Sequence, residues 1–310
     1  MGRPWMIVVV GALIASTPLH AQRDQQRDRD SDEIRSRIDT TVALTANGTV
    51  DLSLVSGEIV VTSWDRGDVR VRATSEEGIL RLDASPSRVS LSVRSDRGRM
   101  GDAHYEVTMP AAARLIARGV SGNINSRGGS DVEAHSVSGD VDVGNTSGRA
   151  AIETVSGDAR AQQVGGGVRA TSVSGEVLLS NITGDVDARS VSGDIVLDGL
   201  RSSFVRTETT SGDVHFDGTL DPDGRYEFNS HSGDIELNLP RMGATLDVQT
   251  FSGEVDSDYP MTLSPGAQGG ERGGGQRMRF TINGGGARVS AQTFSGDVTI
   301  TSASGANREN

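Results

Sequence analysis

The sequence predicts an all-β protein: a β-solenoid, or parallel β-helix-like stack, with about 18–20 residues and two strands per coil, plus antiparallel strands near the N-terminus. Three observations predict it. From Gly139 to Leu200 the chain can be written as one nine-residue unit repeated without a gap: GDVDVGNTS, GRAAIETVS, GDARAQQVG, GGVRATSVS, GEVLLSNIT, GDVDARSVS and GDIVLDGL. A short fixed period belongs to a stack in which each repeat contacts only its neighbours. Apolar residues at the third and fifth places (Val141 and Val143, Val177 and Leu179, Ile195 and Leu197) alternate with polar ones, which is the period of a half-buried strand. Alternate units carry V-S-G-[DE] at Gly139, Gly157, Gly175 and Gly193, so the full repeat is two units, or 18 residues.

The eighth place holds Val155, Val164, Val173, Ile182 and Val191, three positions after the fifth. Reading all of these as inward implies that the alternation slips once per unit, at a bend or bulge. On that reading Asp at Val173 is severely destabilising and Asp at Thr171 mild. The recurring Gly marks either a positive-φ bend or a close approach of backbones, and the sequence leaves the two open.

In chain order, residues 1–21 read as a secretory signal: one Arg, an apolar run from Met6 to Ala15 too short to span a bilayer, and a small-polar end at Ala21. Export to the periplasm, cell surface or medium follows from that segment, with no integral membrane segment after cleavage. Residues 22–38 are a polar linker with almost nothing apolar to bury. All 30 basic residues are Arg, and 42 acids give a net charge of −12, which argues against a nucleic-acid partner. There is no Cys, hence no disulfide, thiolate metal site or lipid-anchor thiol.

Residues 39–114 form an N-terminal β region. Asn47-Gly48 is a hairpin-type signal between TVALTA and TVDLSL. Val50, Leu52 and Val55 before Ser56-Gly57-Glu58 make a first coil, and 79–109 read as antiparallel strands covering the end of the stack. Residues 115–302 are the solenoid, continuing through Gly212, Gly233, Gly253 and Gly296, with 258–286 a flexible Gly-rich insertion and 303–310 a polar tail. Aromatics gather after Ser203, implying a wider core there.

The chain resembles a bacterial family of exported β-strand-repeat proteins, a domain of unknown function labelled adhesin-like. The likeness is carried by DLSLVSGEIVVTSWDRGDVRVRA, by YEVTMP before the solenoid, and by V-S-G-D at 137–140, 155–158 and 191–194. It covers roughly residues 40–302 and implies a β-strand-repeat fold with no catalytic residues to carry over.

Two sets of side chains are candidates for chemistry. The acid after each regular Gly recurs as Asp140, Asp158, Glu176, Asp194, Asp213, Asp234 and Glu254, which stacking aligns in a column; the choice is between solvated turn acids and a cation column. The calcium β-roll needs G-G-x-G-x-D, whereas here the acid follows Gly directly. The other set lies on the edge that carries the insertions: Asp221, Asp223, Arg225, Tyr226, Arg241, Tyr259, Arg272, Arg277 and Arg279, with the two tyrosines as stacking groups. His231 is read as an inward, partly buried residue. Arg66, Arg70 and Arg72 are read as the solvated face of one strand. No Ser sits in a nucleophile motif. The expectation is a non-enzymatic, adhesin-like structural or binding module at the cell envelope. It has no cofactor, and its partner is a protein or glycan at the cell surface. The alternatives are a polysaccharide-active β-helix enzyme and a calcium-binding solenoid.

Overall fold

A computed structural model describes residues 36–95, 101–240, 242–260, 262–263 and 276–302. The expected signal, most of the linker, the tail and residues 264–275 of the Gly-rich insertion lie outside the described residues. Within them the chain is strand and turn, without a helix. The strands Val141–Thr146 and Ala150–Thr154 make one coil. Each stacks in parallel on its copy 18 residues later, Val141 on Ala159 and Ala150 on Val168. One stack continues through Val177, Ile195, Val214 and Ile235, the other through Val186, Val205 and Tyr226. The inward side chains of both stacks form one contiguous apolar core. At the wide end Phe216 meets Tyr226 and Phe228 at centroid distances of 6.0 and 5.1 Å, so the aromatic shift does enlarge the core.

The eighth place has two different fates, and this corrects the uniform inward assignment. Val164 and Ile182 are buried, and so is Leu200 at the equivalent position. The residue before each, Gln163, Asn181 or Gly199, has φ of 56, 53 or 63°, and Asn145 before buried Thr146 has 55°. A left-handed residue is the bulge that reverses the alternation. In the V-S-G units the alternation never slips. Thr154, Ser172 and Ser190 at the seventh place are buried, while Val155, Val173 and Val191 at the eighth are 44, 40 and 47% exposed.

From Gly122 onward the S-G glycines are explained by crowding, not by a left-handed turn; Gly57, in the first coil, has φ of 118°. A Cβ on Gly157, Gly175, Gly193 or Gly212 would lie 2.3, 2.1, 2.1 or 2.2 Å from the carbonyl oxygen of the equivalent Gly one coil earlier. Only Gly permits that backbone approach.

Both ends depart from sequence order. Label the first nine strands β1 (Ser36–Ala43), β2 (Thr49–Ser53), β3 (Ser56–Trp64), β4 (Asp68–Ser75), β5 (Ile79–Ser85), β6 (Arg88–Arg94), β7 (Ala103–Pro110), β8 (Arg114–Gly119) and β9 (Ser121–Arg127). The β2–β3 coil lies between β8–β9 and β6–β7, parallel to both. β5 then adds antiparallel to β6, β4 to β7 and β1 to β4. The 79–109 region is therefore a coil layer plus one antiparallel strand. The Asn47-Gly48 turn is no hairpin, because β1 pairs with β4, and β1 already begins at Ser36, inside the range 22–38 expected for the linker. At the other end the last coil, Ala287–Ser295 with Val298–Ser302, inserts between its predecessors. It pairs with Val214–Ser232 and Ile235–Leu239 on one side and with Ala244–Ser252 and Val255–Ser257 on the other. The spatial order is Gly233, Gly296, Gly253. Gln276–Ile282 closes this end antiparallel to Ala244–Ser252.

A paired substitution checks the inward and outward assignments. Val177 is fully buried, so Val177→Asp places a carboxylate in a thin core and is expected to lower stability by about 3–5 kcal/mol. Val173→Asp is expected to stay within about 1 kcal/mol of the parent. Denaturant melts of the two proteins distinguish them.

Candidate functional site

The S-G edge is built from three ladders that share one pitch. The first is of hydroxyls. Ser136, Thr154, Ser172, Ser230, Thr293 and Thr250 each donate to the carbonyl of the S-G glycine in the adjacent coil, at 3.0–3.2 Å. These bonds satisfy a polar side chain the alternation has turned inward.

The second is the acid column. The Oδ1 of Asp140 accepts the backbone N–H of Asp158, and Asp158 accepts that of Glu176. Asp194 accepts from Asp213, Asp213 from Asp234, Asp234 from Asp297 and Asp297 from Glu254. The distances are 2.8–3.0 Å, and Asn123 begins the series by accepting from Asp140. The carboxylates are therefore backbone acceptors, each tied to the next coil by a charge-assisted bond. The ladder has one gap, at Glu176, whose longer side chain makes no such bond to Asp194 among the described residues. Arg160 adds an ion pair to Asp158. The described residues contain no group of three or more metal-ligating side chains placed to hold an ion. The sequence expectation put seven of these acids in one column but missed Asp297, which the structure sets between Asp234 and Glu254, and had no view of the N–H each one faces.

The third ladder was hidden by the assumption that every eighth place points inward. Val120, Val137, Val155, Val173 and Val191 stand outward in line, and turn hydrogen bonds hold each to the next, as from Ser156 N–H to the Val137 carbonyl at 2.8 Å. Thr210 and His231 continue the row, since Ser211 N–H donates to Val191 and Ser232 N–H to Thr210. It ends in Phe294 and Phe251, 49 and 50% exposed. The His231 and Phe294 rings stack at 5.1 Å and 15°, and the Phe294 and Phe251 rings at 4.7 Å and 5°. His231 is thus an exposed rung, not an inward residue. Nine rungs at the strand spacing of ~4.8 Å make a stripe about 38 Å long. A shallow hollow of about 310 Å³ lies beside it at Val173, Val191 and Thr210, with Arg189 and Glu208 on its far side.

The insertion edge looks different. Tyr226 is buried, its hydroxyl donating to the Ser202 carbonyl at 2.6 Å and accepting from Asp221 N–H at 2.7 Å. Tyr259 is buried too, donating to the Leu239 carbonyl at 2.8 Å. Neither ring is free to stack on a ligand. Asp223 N–H bonds the Asp221 carboxylate, and Arg225 pairs with Glu227. Arg277 and Arg279 both clamp Asp247, joining the closing strand to its neighbour. Those two guanidinium groups hold the Asp247 carboxyl down at about 2. Arg241 and Arg272 lie outside the described residues. Near the N-terminus Arg70 pairs with Asp39, Arg72 with Glu106, and Arg66 lies over Trp64 at 4.8 Å. Arg66 precedes β4 rather than lying on it.

A family model described as Toastrack DUF4097 matches residues 130–301, more than half of the chain. The chain belongs to the Toastrack DUF4097 family. The matched span contains the S-G turns of eight of the nine rungs and most of the acid ladder. No curated protein matches the chain. Among solved structures it is similar to a candidate cell adhesion protein from Clostridium sporogenes ATCC 15579, at 8% identity and a TM-score of 0.20 over 86% of this chain and 99% of that one. It is also similar to a candidate adhesin from Bacteroides fragilis NCTC 9343, at 12% identity and a TM-score of 0.39 over 86% and 96%.

Two measurements check the electrostatics of this Toastrack stack. Asp158→Asn keeps an oxygen acceptor and is expected to be near neutral, whereas Asp158→Ala leaves the Glu176 N–H without its partner and costs about 1 kcal/mol. Calcium is expected to shift neither melting curve. The second concerns Asp247. Its folded-state pKa is depressed, so its contribution is complete above about pH 4 and is lost as pH falls through about 2. Comparing Asp247→Asn with the parent is expected to show a difference of about 1–2 kcal/mol at pH 6 that disappears towards pH 2.

Proposed function

We propose that this chain is an exported, non-enzymatic, adhesin-like binding module of the cell envelope, which meets its partner through the S-G edge. The observation that supports the reading is the apolar ladder from Val120 to Phe251. Monomeric proteins rarely leave so long a line of apolar side chains exposed without using it. Elsewhere on the surface charged groups are largely engaged with one another, and the acids that first suggested a site serve the backbone. The partner class remains an envelope protein or glycan, and the solved structures described as adhesion proteins are consistent with that class. In this reading residues 1–21 are the export signal and 22–35 the tether, and no cofactor takes part. The binding surface moves from the insertion edge to the regular one, because Tyr226, Tyr259, Arg225, Arg277 and Arg279 are already occupied within the chain.

The test is a glycan array and a panel of purified envelope proteins, probed with the parent, with Val155→Ser/Val173→Ser and with Arg277→Gln/Arg279→Gln. The expected result is at least tenfold weaker capture by the valine variant alone, with its melting temperature unchanged. Loss confined to the arginine variant returns the site to the insertion edge. Release of reducing ends from any glycan by the parent overturns the non-enzymatic reading.

A further inference from the structure

We propose that the apolar ladder is occupied by the ladder of a second copy of this chain, the two stacks lying side by side and pointing the same way. The proposal rests on the reading of the S-G edge as the contact surface and identifies what covers it. The first argument is pitch. The rungs are locked to the strand spacing of ~4.8 Å, so a partner must offer the same repeat to fill the stripe along its whole ~38 Å. A second copy has that repeat by construction.

The second argument is area. Nine rungs, most of them about half exposed, present roughly 600 Å² per copy, or roughly 1,200 Å² for two, which is the lower bound of a specific interface. Regular apolar faces of this size are the kind that close on themselves about a two-fold axis.

Charge selects the direction. The acid column runs along one side of the ladder. Along the other side runs an outward row that begins at Arg118 and His135 and passes Glu153, Arg189 and Glu208. A two-fold axis parallel to the stack sets each acid column against the partner's mixed row, in which Arg118 and Arg189, paired within the chain with Asp51 and Asp187, balance Glu153 and Glu208 and leave no net negative charge to oppose the column. A two-fold axis perpendicular to the stack and to the facing surfaces' normal sets column against column, in a chain whose net charge is already −12. Like charges opposed in this way are unfavourable. In the parallel arrangement Val meets Val along the first five rungs, and the Phe294 and Phe251 rings meet their equivalents at the other end.

The absence of Cys from the sequence makes the geometry directly readable. Sedimentation velocity of the full chain is expected to show a doubling of mass with rising concentration, and Val155→Asp/Val173→Asp is expected to abolish it while leaving the melting temperature in place. In single-Cys proteins, Val137→Cys is expected to give a covalent dimer on mild oxidation, because the second rung meets its own equivalent only when the copies run in the same direction. Asn125→Cys, on an outward strand position away from the ladder, is expected to give none. A crosslink at Val191→Cys, the middle rung, without one at Val137→Cys overturns the parallel arrangement. A chain that stays monomeric at every concentration overturns the proposal, and if it still captures an array ligand through the ladder, the functional reading stands without it. Ladder-dependent sedimentation of a monomeric chain with neutral phosphatidylcholine vesicles overturns the proposal in favour of a lipid surface.

Discussion

The constraint on which the structure depends is the contact of backbone with backbone at the S-G turn. There each glycine sits against the glycine carbonyl of the coil beside it, with no room for a Cβ. This contact brings successive turns to the strand spacing, so that the turns stack as tightly as the strands do. The flanking side chains then have no freedom of register. The residue two before the serine is held inside, where the hydroxyl of Ser136, Thr154, Ser172, Ser230, Thr250 or Thr293 bonds the same glycine carbonyl. The residue after the glycine is held where its carboxylate meets the next N–H. The residue before the serine is held outside.

That arrangement also explains why a column of acids is tolerable. Unit charges about 4.8 Å apart repel by roughly 0.9 kcal/mol in water. Each aspartate of the column recovers a charge-assisted bond to backbone one coil away, whereas Glu176 and the terminal Glu254 accept none among the described residues, and bonds of that kind contribute about 1.5–3 kcal/mol. The column is a strut along the edge, and its negative potential is a by-product that bears on what can approach. The two stack ends are finished by other means. A coil from elsewhere in the sequence is intercalated or added, the direction reverses, and ion pairs such as Arg277 and Arg279 on Asp247 fasten the closing strand. Antiparallel closing strands limit the reach of an edge that would otherwise template further pairing.

A solenoid whose polar side chains serve its own backbone is a scaffold first. Membership of the Toastrack DUF4097 family agrees with the repeat architecture and names no chemistry. What distinguishes this surface is that its most regular edge carries the exposed apolar residues, where binding residues on repeat proteins are more often sought among variable loops. Regularity is itself a recognition property when the partner has the same period.

The sequence by itself determined the repeat length, the strand character, the parallel stacking and the alignment of the acids, because a glycine every nine residues and a two-residue alternation leave few other ways to bury Val141, Val177 and Ile195. It also located the aromatic enlargement around Phe216 and Phe228. Only the tertiary structure decided which eighth-place residues face outward. A left-handed residue at Asn145, Gln163 or Asn181 flips the alternation in one half-coil, while Thr154, Ser172 and Ser190 let it run on in the other. Those two backbones place Val164 in the core and leave Val173 40% exposed, although both are valines at the eighth place of successive units. The intercalated last coil and the burial of Tyr226 and Tyr259 were equally beyond reach, since strand order and the partner of a hydroxyl depend on residues distant in sequence. Local pattern specifies period and propensity; the side that faces solvent is set by one backbone torsion and by the neighbouring coil.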